Sequence, residues 1–191
     1  HHSEYVYKER EDGLLERSRI RRRPGTIAIA AAIQQRYGIP VVPHIICSGA
    51  TIEDIEYELI DLQFLGISNV LLLRGDKAKE DSRFKPTKGG HEHTTDLIRQ
   101  VVKFNDGIFA DGTPIKNREE SFDFGVACYP EKHEEAPNIE QDIKHLVEKQ
   151  ELGAEYAVTQ LFFDNHKFYD FVAMARKAGV TIPIIPGIKP F

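Results

Sequence analysis

The stretch Asn69-Val70-Leu71-Leu72-Leu73-Arg74-Gly75-Asp76 decides how this chain is read. A continuous aliphatic run is what a strand needs when both of its faces are buried in a parallel sheet. Such sheets carry their ligand chemistry at the carboxyl ends of the strands. Arg74, Gly75 and Asp76 therefore stand where a ligand would sit.

Working outward, the same pattern recurs. Apolar segments at residues 39–47, 122–128, 156–163 and 182–188 alternate with longer stretches of helical period, so five strands are expected with residues 69–73 as the second. Helix starts are signalled by Thr51 with Asp54, by Asn138 with Gln141, and at Asn165. Gly38, Gly66, Gly153 and Gly179 each follow a helical pattern and precede an apolar residue, as a left-handed helix stop requires. The stripes Ile52, Ile55, Leu59, Leu62 and Phe168, Phe171, Val172, Ala175 fall at three-to-four spacing and are core faces, not cofactor contacts.

Alternating strands and helices give either a doubly wound sheet or a barrel. Polar groups gather near the ends of consecutive segments: His44 and Cys47, then Arg74 and Asp76, then Tyr129, Glu131 and His133, then Gln160. Convergence from so many strands suits a TIM (β/α)8 barrel. A doubly wound domain concentrates its ligand at one switch point, and the Gly-rich fingerprint G-x-G-x-x-G does not occur. Five strands cannot close eight, so residues 1–191 read as one barrel domain cut at both ends.

With 41% hydrophobic and 29% charged residues, the chain is an ordinary globular domain. A net charge of -5 argues against a nucleic-acid surface, and the basic run Arg21-Arg22-Arg23 reads as a solvated approach to a helix starting near Pro24. No segment is long enough to span a membrane. Two cysteines, Cys47 and Cys128, inside apolar runs suggest reduced core thiols in a cytoplasmic setting. Residues 77–90 read as a loop over the site, and residues 105–121, with Asp111-Gly112 and Thr113-Pro114, as a decoration of the opposite face.

The strings Pro43-His44-Ile45-Ile46-Cys47, Leu73-Arg74-Gly75-Asp76, Ala127-Cys128-Tyr129-Pro130-Glu131-Lys132-His133-Glu134-Glu135-Ala136, Thr159-Gln160-Leu161-Phe162-Phe163-Asp164 and Ile185-Pro186-Gly187-Ile188 together resemble the methylenetetrahydrofolate reductase family. Their order and spacing match as well, and the likeness covers the chain apart from residues 105–121. The resemblance implies a catalytic TIM (β/α)8 barrel, of which residues 1–191 cover roughly strands 3 to 7 with the preceding helix, that binds FAD noncovalently and reduces 5,10-methylenetetrahydrofolate to 5-methyltetrahydrofolate with electrons from NAD(P)H. A homo-oligomer is compatible with it.

Position by position, the resemblance implies that His44, Arg74, Gly75, Asp76, His93, Thr94, Tyr129, His133, Ala136, Asp142 and Lys149 surround FAD. Lys149 and Arg74 would supply positive charge for its diphosphate, and Asp142 could hold a ribose hydroxyl. His93, His145 and Glu148 stand where the family has other polar groups. Asp76 is the implied catalytic residue, its charge favouring the cationic iminium form of the folate, and Asp76 with Gln160 would contact the substrate. The family's acid Glu, on the first strand, would lie before His1.

Blander readings stand beside these. Arg74 and Asp76 could form a local ion pair, His44 and His133 could be hydrogen-bonded strand-end residues, and Asp142 and Lys149 could be solvated helix charges. Two rival functions remain: a metal-dependent hydrolase using His44, Asp76, Glu131 and His133 as ligands, and a noncatalytic flavin- or folate-binding module.

Overall fold

The computed structural model describes residues 4–20, 23–77, 81–116 and 120–189. The chain opens with an antiparallel hairpin of β1 (Glu4–Glu9) and β2 (Leu15–Ile20), turned at Gly13 in the left-handed region, where φ is +77°. No strand is expected from the sequence over these residues, because charges at most of the hairpin's positions hide any apolar alternation on either side of the Asp12-Gly13 turn. Arg21 and Arg22 lie outside the described residues.

After α1 (Thr26–Tyr37) come β3 (His44–Ile46), α2 (Ile52–Phe64), β4 (Asn69–Leu73), α3 (Thr94–Asn105), β5 (Asp123–Cys128), α4 (Ile139–Glu151), β6 (Tyr156–Thr159), α5 (Asn165–Lys177) and β7 (Ile184–Ile185). All five expected strands form one parallel sheet in the order β3-β4-β5-β6-β7. Sequential order with right-handed crossovers places the helices on one face, and the reversal of order that marks a doubly wound sheet does not occur among the described strands. Within the described residues the sheet is open, with β3 and β7 at its edges.

The helix-facing layer runs in register through Ile45, Leu72, Val126, Ala157 and Ile184, and the first four of these are buried. Against it pack Ile55, Leu59 and Leu62 of α2, Leu97, Ile98 and Val101 of α3, Ile143 and Leu146 of α4, and Phe171 and Ala175 of α5. The opposite face carries His44, Leu71, Gly125 and Tyr156 in register. There the Tyr156 ring lies across Gly125, where any Cβ would run into it, and its hydroxyl donates to Asn69 Oδ1 at 2.8 Å.

The expected helix ends are present. Thr51 and Asp54 exchange both hydrogen bonds of a capping box, Asn138 accepts from the Gln141 amide, and Gly38, Gly66, Gly153 and Gly179 all take positive φ. α5 opens at Asn165 as expected, with Asp164 as its cap accepting from the His166 amide. β3 is shorter than residues 39–47 because Pro40 and Pro43 have no amide to give a ladder; Pro43 contributes only its carbonyl, to Leu71 N. Residues 106–116 form a turn ahead of β5, with Ile108 bridged to Pro114 and Asp111 accepting from Thr113, and Asn105 exchanges two hydrogen bonds with Phe122. That places the segment at the amino ends of the strands, as expected.

Candidate functional site

The cations and aromatic groups implied at the site gather where β4 and β5 end. Arg74 follows β4 directly, and its Nη1 meets Glu135 Oε2 at 2.6 Å, its side chain 20% exposed. Its guanidinium stacks 4.6 Å from the Phe84 ring centre, in the loop after β4. The local Arg74–Asp76 pair is thus replaced by a pair with Glu135, 61 positions downstream.

Gly75 has φ +84°, and a Cβ there would stand 2.7 Å from Ser48 Cβ. Both facts require glycine. The turn brings the Asp76 carbonyl to Ser48 Oγ at 3.2 Å and leaves Asp76 exposed at the rim.

From β5, Tyr129 meets the His133 imidazole edge-on with ring centres 4.7 Å apart. Burial raises the Tyr129 phenol above its ordinary value against the opposing charge of Arg74, so it remains a hydroxyl donor. The His133 main-chain amide donates to Asp142 Oδ2 at 2.7 Å, and its Nδ1 accepts from the Glu135 amide at 3.0 Å. Burial and the Arg74 charge both lower its pKa, which keeps the imidazole neutral and able to accept. The Ala136 amide donates to the His133 carbonyl, and Lys132 Nζ closes the same turn on the Ala136 carbonyl. Glu131 is exposed on it.

Lys149 lies two turns along α4 from Asp142. Its ammonium reaches under the sheet end to the Ala127 carbonyl at 3.1 Å, and burial pulls its pKa down. The solvated-charge reading of Lys149 is therefore corrected. Among the described residues no carboxylate forms an ion pair with it. A partly buried ammonium of this kind is expensive unless an anion offsets it. Together with Arg74, it fits a diphosphate-bearing cofactor.

Other expected residues stand further off. His44 opens β3 in the Leu71 layer, at the amino end of its strand and not the carboxyl end. His93 caps α3, its amide donating to Asp96 and its carbonyl accepting from Cys47 Sγ, and Thr94 is the first residue of that helix. Gln160 follows β6, its amide on the Cys128 carbonyl and its side-chain oxygen taking the Leu161 amide. His145 and Glu148 join Arg99 and Asp96 in an exposed network between α3 and α4. The thiols of Cys47 and Cys128 are free and buried, which pushes both up to about 12 and makes them inert. His44, Asp76, Glu131 and His133 do not converge; among the described residues no cluster of three or more such groups could hold a metal.

Glu134, Glu135, Phe84 and Ser48 were not singled out by the sequence. Lys77 pairs with Glu134 at 2.9 Å, and the Phe84 amide donates to Glu135 Oε1 at 3.3 Å. Lys77 and the loop residues around Phe84 are therefore fastened to the turn after β5. At the far end Gly89 accepts from the Ile52 amide, and His91 bonds Gln100, which donates to the Ile52 carbonyl.

The family model for methylenetetrahydrofolate reductase matches residues 17–191, all of the parallel sheet and none of β1. Methylenetetrahydrofolate reductase 2 of Saccharomyces cerevisiae is 32% identical over 165 residues, covering 85% of this chain and 25% of the yeast protein. Methylenetetrahydrofolate reductase (NADH) 1 of Zea mays is 33% identical over 175 residues, covering 86% and 27%. The 5,10-methylenetetrahydrofolate reductase of Escherichia coli is 32% identical over 169 residues, covering 88% and 50%. The chain thus spans a quarter to a half of the length of these relatives.

Proposed function

The chain belongs to the methylenetetrahydrofolate reductase family, and from that premise we propose that it is the flavin-binding part of a TIM barrel that reduces 5,10-methylenetetrahydrofolate to 5-methyltetrahydrofolate with NAD(P)H. The supporting observation is that two cations meet the ends of adjacent strands, Arg74 directly after β4 and the α4 residue Lys149 at the Ala127 carbonyl of β5, where no described carboxylate forms an ion pair with it. FAD, when bound, supplies the two-electron carrier between nicotinamide and folate.

This chain's residues divide the work as follows. Arg74 and Lys149 hold the diphosphate, and Tyr129 and His133 pack the same wall as a hydroxyl donor and a neutral imidazole. Asp142 keeps that wall in place through the His133 amide. Asp76, exposed at the rim, presents negative charge to the cationic iminium of the folate, and Gln160 orients the pterin or the nicotinamide from the next strand end. Sequential strand order with every helix on one face favours closure into the barrel. The buried free thiols fit a cytoplasmic protein.

Purification of the full-length protein tests the reading. It should be yellow, with flavin absorbance bands and release of FAD on denaturation. A folded, colourless protein that takes up no FAD would overturn it.

A further inference from the structure

Glu135 uses both carboxylate oxygens, and on different segments. Oε2 holds Arg74 at 2.6 Å and Oε1 accepts from the Phe84 amide at 3.3 Å. The other side of the matter is the Phe84 ring, which stacks on the guanidinium that Glu135 grips. Arg74 is held between an anion and an aromatic face, both fixed by one side chain. Glu135 is itself fixed, because its amide donates to His133 Nδ1 and the His133 amide donates to Asp142 on α4, the helix that carries Lys149.

We propose that Glu135 is a positioning residue, which orients Arg74 for an anionic ligand and, through the Phe84 amide, fastens the loop after β4 over the same site. The ligand half of this rests on the flavin reading; the loop half does not. An ordinary exposed ion pair would contribute little and connect nothing else. Here the pair joins three segments through one carboxylate, and the relay from Glu135 through His133 and Asp142 sets the spacing between the two cations.

The test uses the full-length protein with E135A, E135Q, R74A and the double variant R74A/E135A. FAD affinity is read by flavin fluorescence, and hydrogen exchange of the Phe84 amide is read without ligand. E135A should weaken FAD binding about tenfold, as expected for losing a charged hydrogen bond, and should cost less than about twofold in the R74A background, because it acts through Arg74. E135A should also release the Phe84 amide. E135Q keeps an oxygen acceptor but no charge, so it should retain Phe84 protection while losing roughly threefold in affinity. Equal penalties with and without Arg74, or unchanged Phe84 exchange in E135A, would overturn the proposal. Should wild type bind no flavin while E135A still frees Phe84, the flavin reading alone falls and the tether stands.

Discussion

Lys149 Nζ lies 3.1 Å from the Ala127 carbonyl, an ammonium held by a peptide oxygen where a carboxylate would be the usual partner. On the proposed reading, this arrangement costs the ligand-free protein stability and suits the site to an anion. Lys149→Met should therefore raise the thermal midpoint of the flavin-free protein and weaken FAD binding by roughly 10- to 100-fold, the span expected for a charged hydrogen bond. The two effects have opposite signs. Loss of stability together with loss of affinity would show that Lys149 is merely structural.

The same residue gives a pH signature. Burial holds its pKa below the ordinary 10.5, so between the lowered and the unfolded values the folded protein binds fewer protons than the unfolded chain. Stability of the flavin-free protein should rise with pH across that window, and Lys149→Met should remove this contribution. Chemical denaturation at stepped alkaline pH reads it.

His133 works at the acid end. Its pKa is lowered by burial and by Arg74, so its contribution is fully present above the unfolded value of about 6.5 and is lost as pH falls from there through the folded value. Protonation at Nδ1 also removes the acceptor for the Glu135 amide. Acidification should lower the protection factor of that amide, measured against its intrinsic exchange at each pH, before the protein unfolds globally. An unchanged Glu135 amide across the His133 titration, followed by NMR, would rule this out.

Gly75→Ala meets two obstacles at once, a φ of +84° and the Ser48 Cβ. A cost of roughly 1–3 kcal/mol is expected from denaturant unfolding. Adding Ser48→Gly should recover the contact part and leave the backbone part.

Asp76→Asn keeps shape and deletes charge. In the full-length protein the folate half-reaction should slow by about 10²-fold, the usual cost of losing one electrostatic stabiliser, while reduction of the flavin by NAD(P)H suffers less. Stopped-flow measurement of each half-reaction separates them, and equal losses would mean that Asp76 only shapes the flavin site.

Local chemistry made much of this fold legible. Thr51 with Asp54 and the glycines after the helices act within a few residues, and the Leu71 to Leu73 run announces burial on both faces by composition alone. Arg74, Tyr129 and His133 could be placed together because strand ends converge, whereas Asp142 and Lys149, on a helix, joined them only through the family resemblance. What escaped depends on distance in sequence or on hidden pattern. Glu135 meets Arg74 across 61 positions, and no property of Glu134-Glu135 alone distinguishes a clasp from two solvated acids. Asp76 was open to pairing with Arg74 on proximity, but Arg74 meets Glu135 at 2.6 Å, and the other Glu135 oxygen accepts from the Phe84 amide. The hairpin escaped because its alternating positions carry charge, where strand recognition relies on apolar alternation.

The Tyr156 ring over Gly125 also has a mechanical consequence. Tyr156 belongs to β6 and its hydroxyl reaches Asn69 Oδ1 on β4, so one side chain spans β5 and ties together the strands on either side of it. Sliding of β4 past β6 would break that hydrogen bond and carry the ring off the position that has no Cβ to meet it.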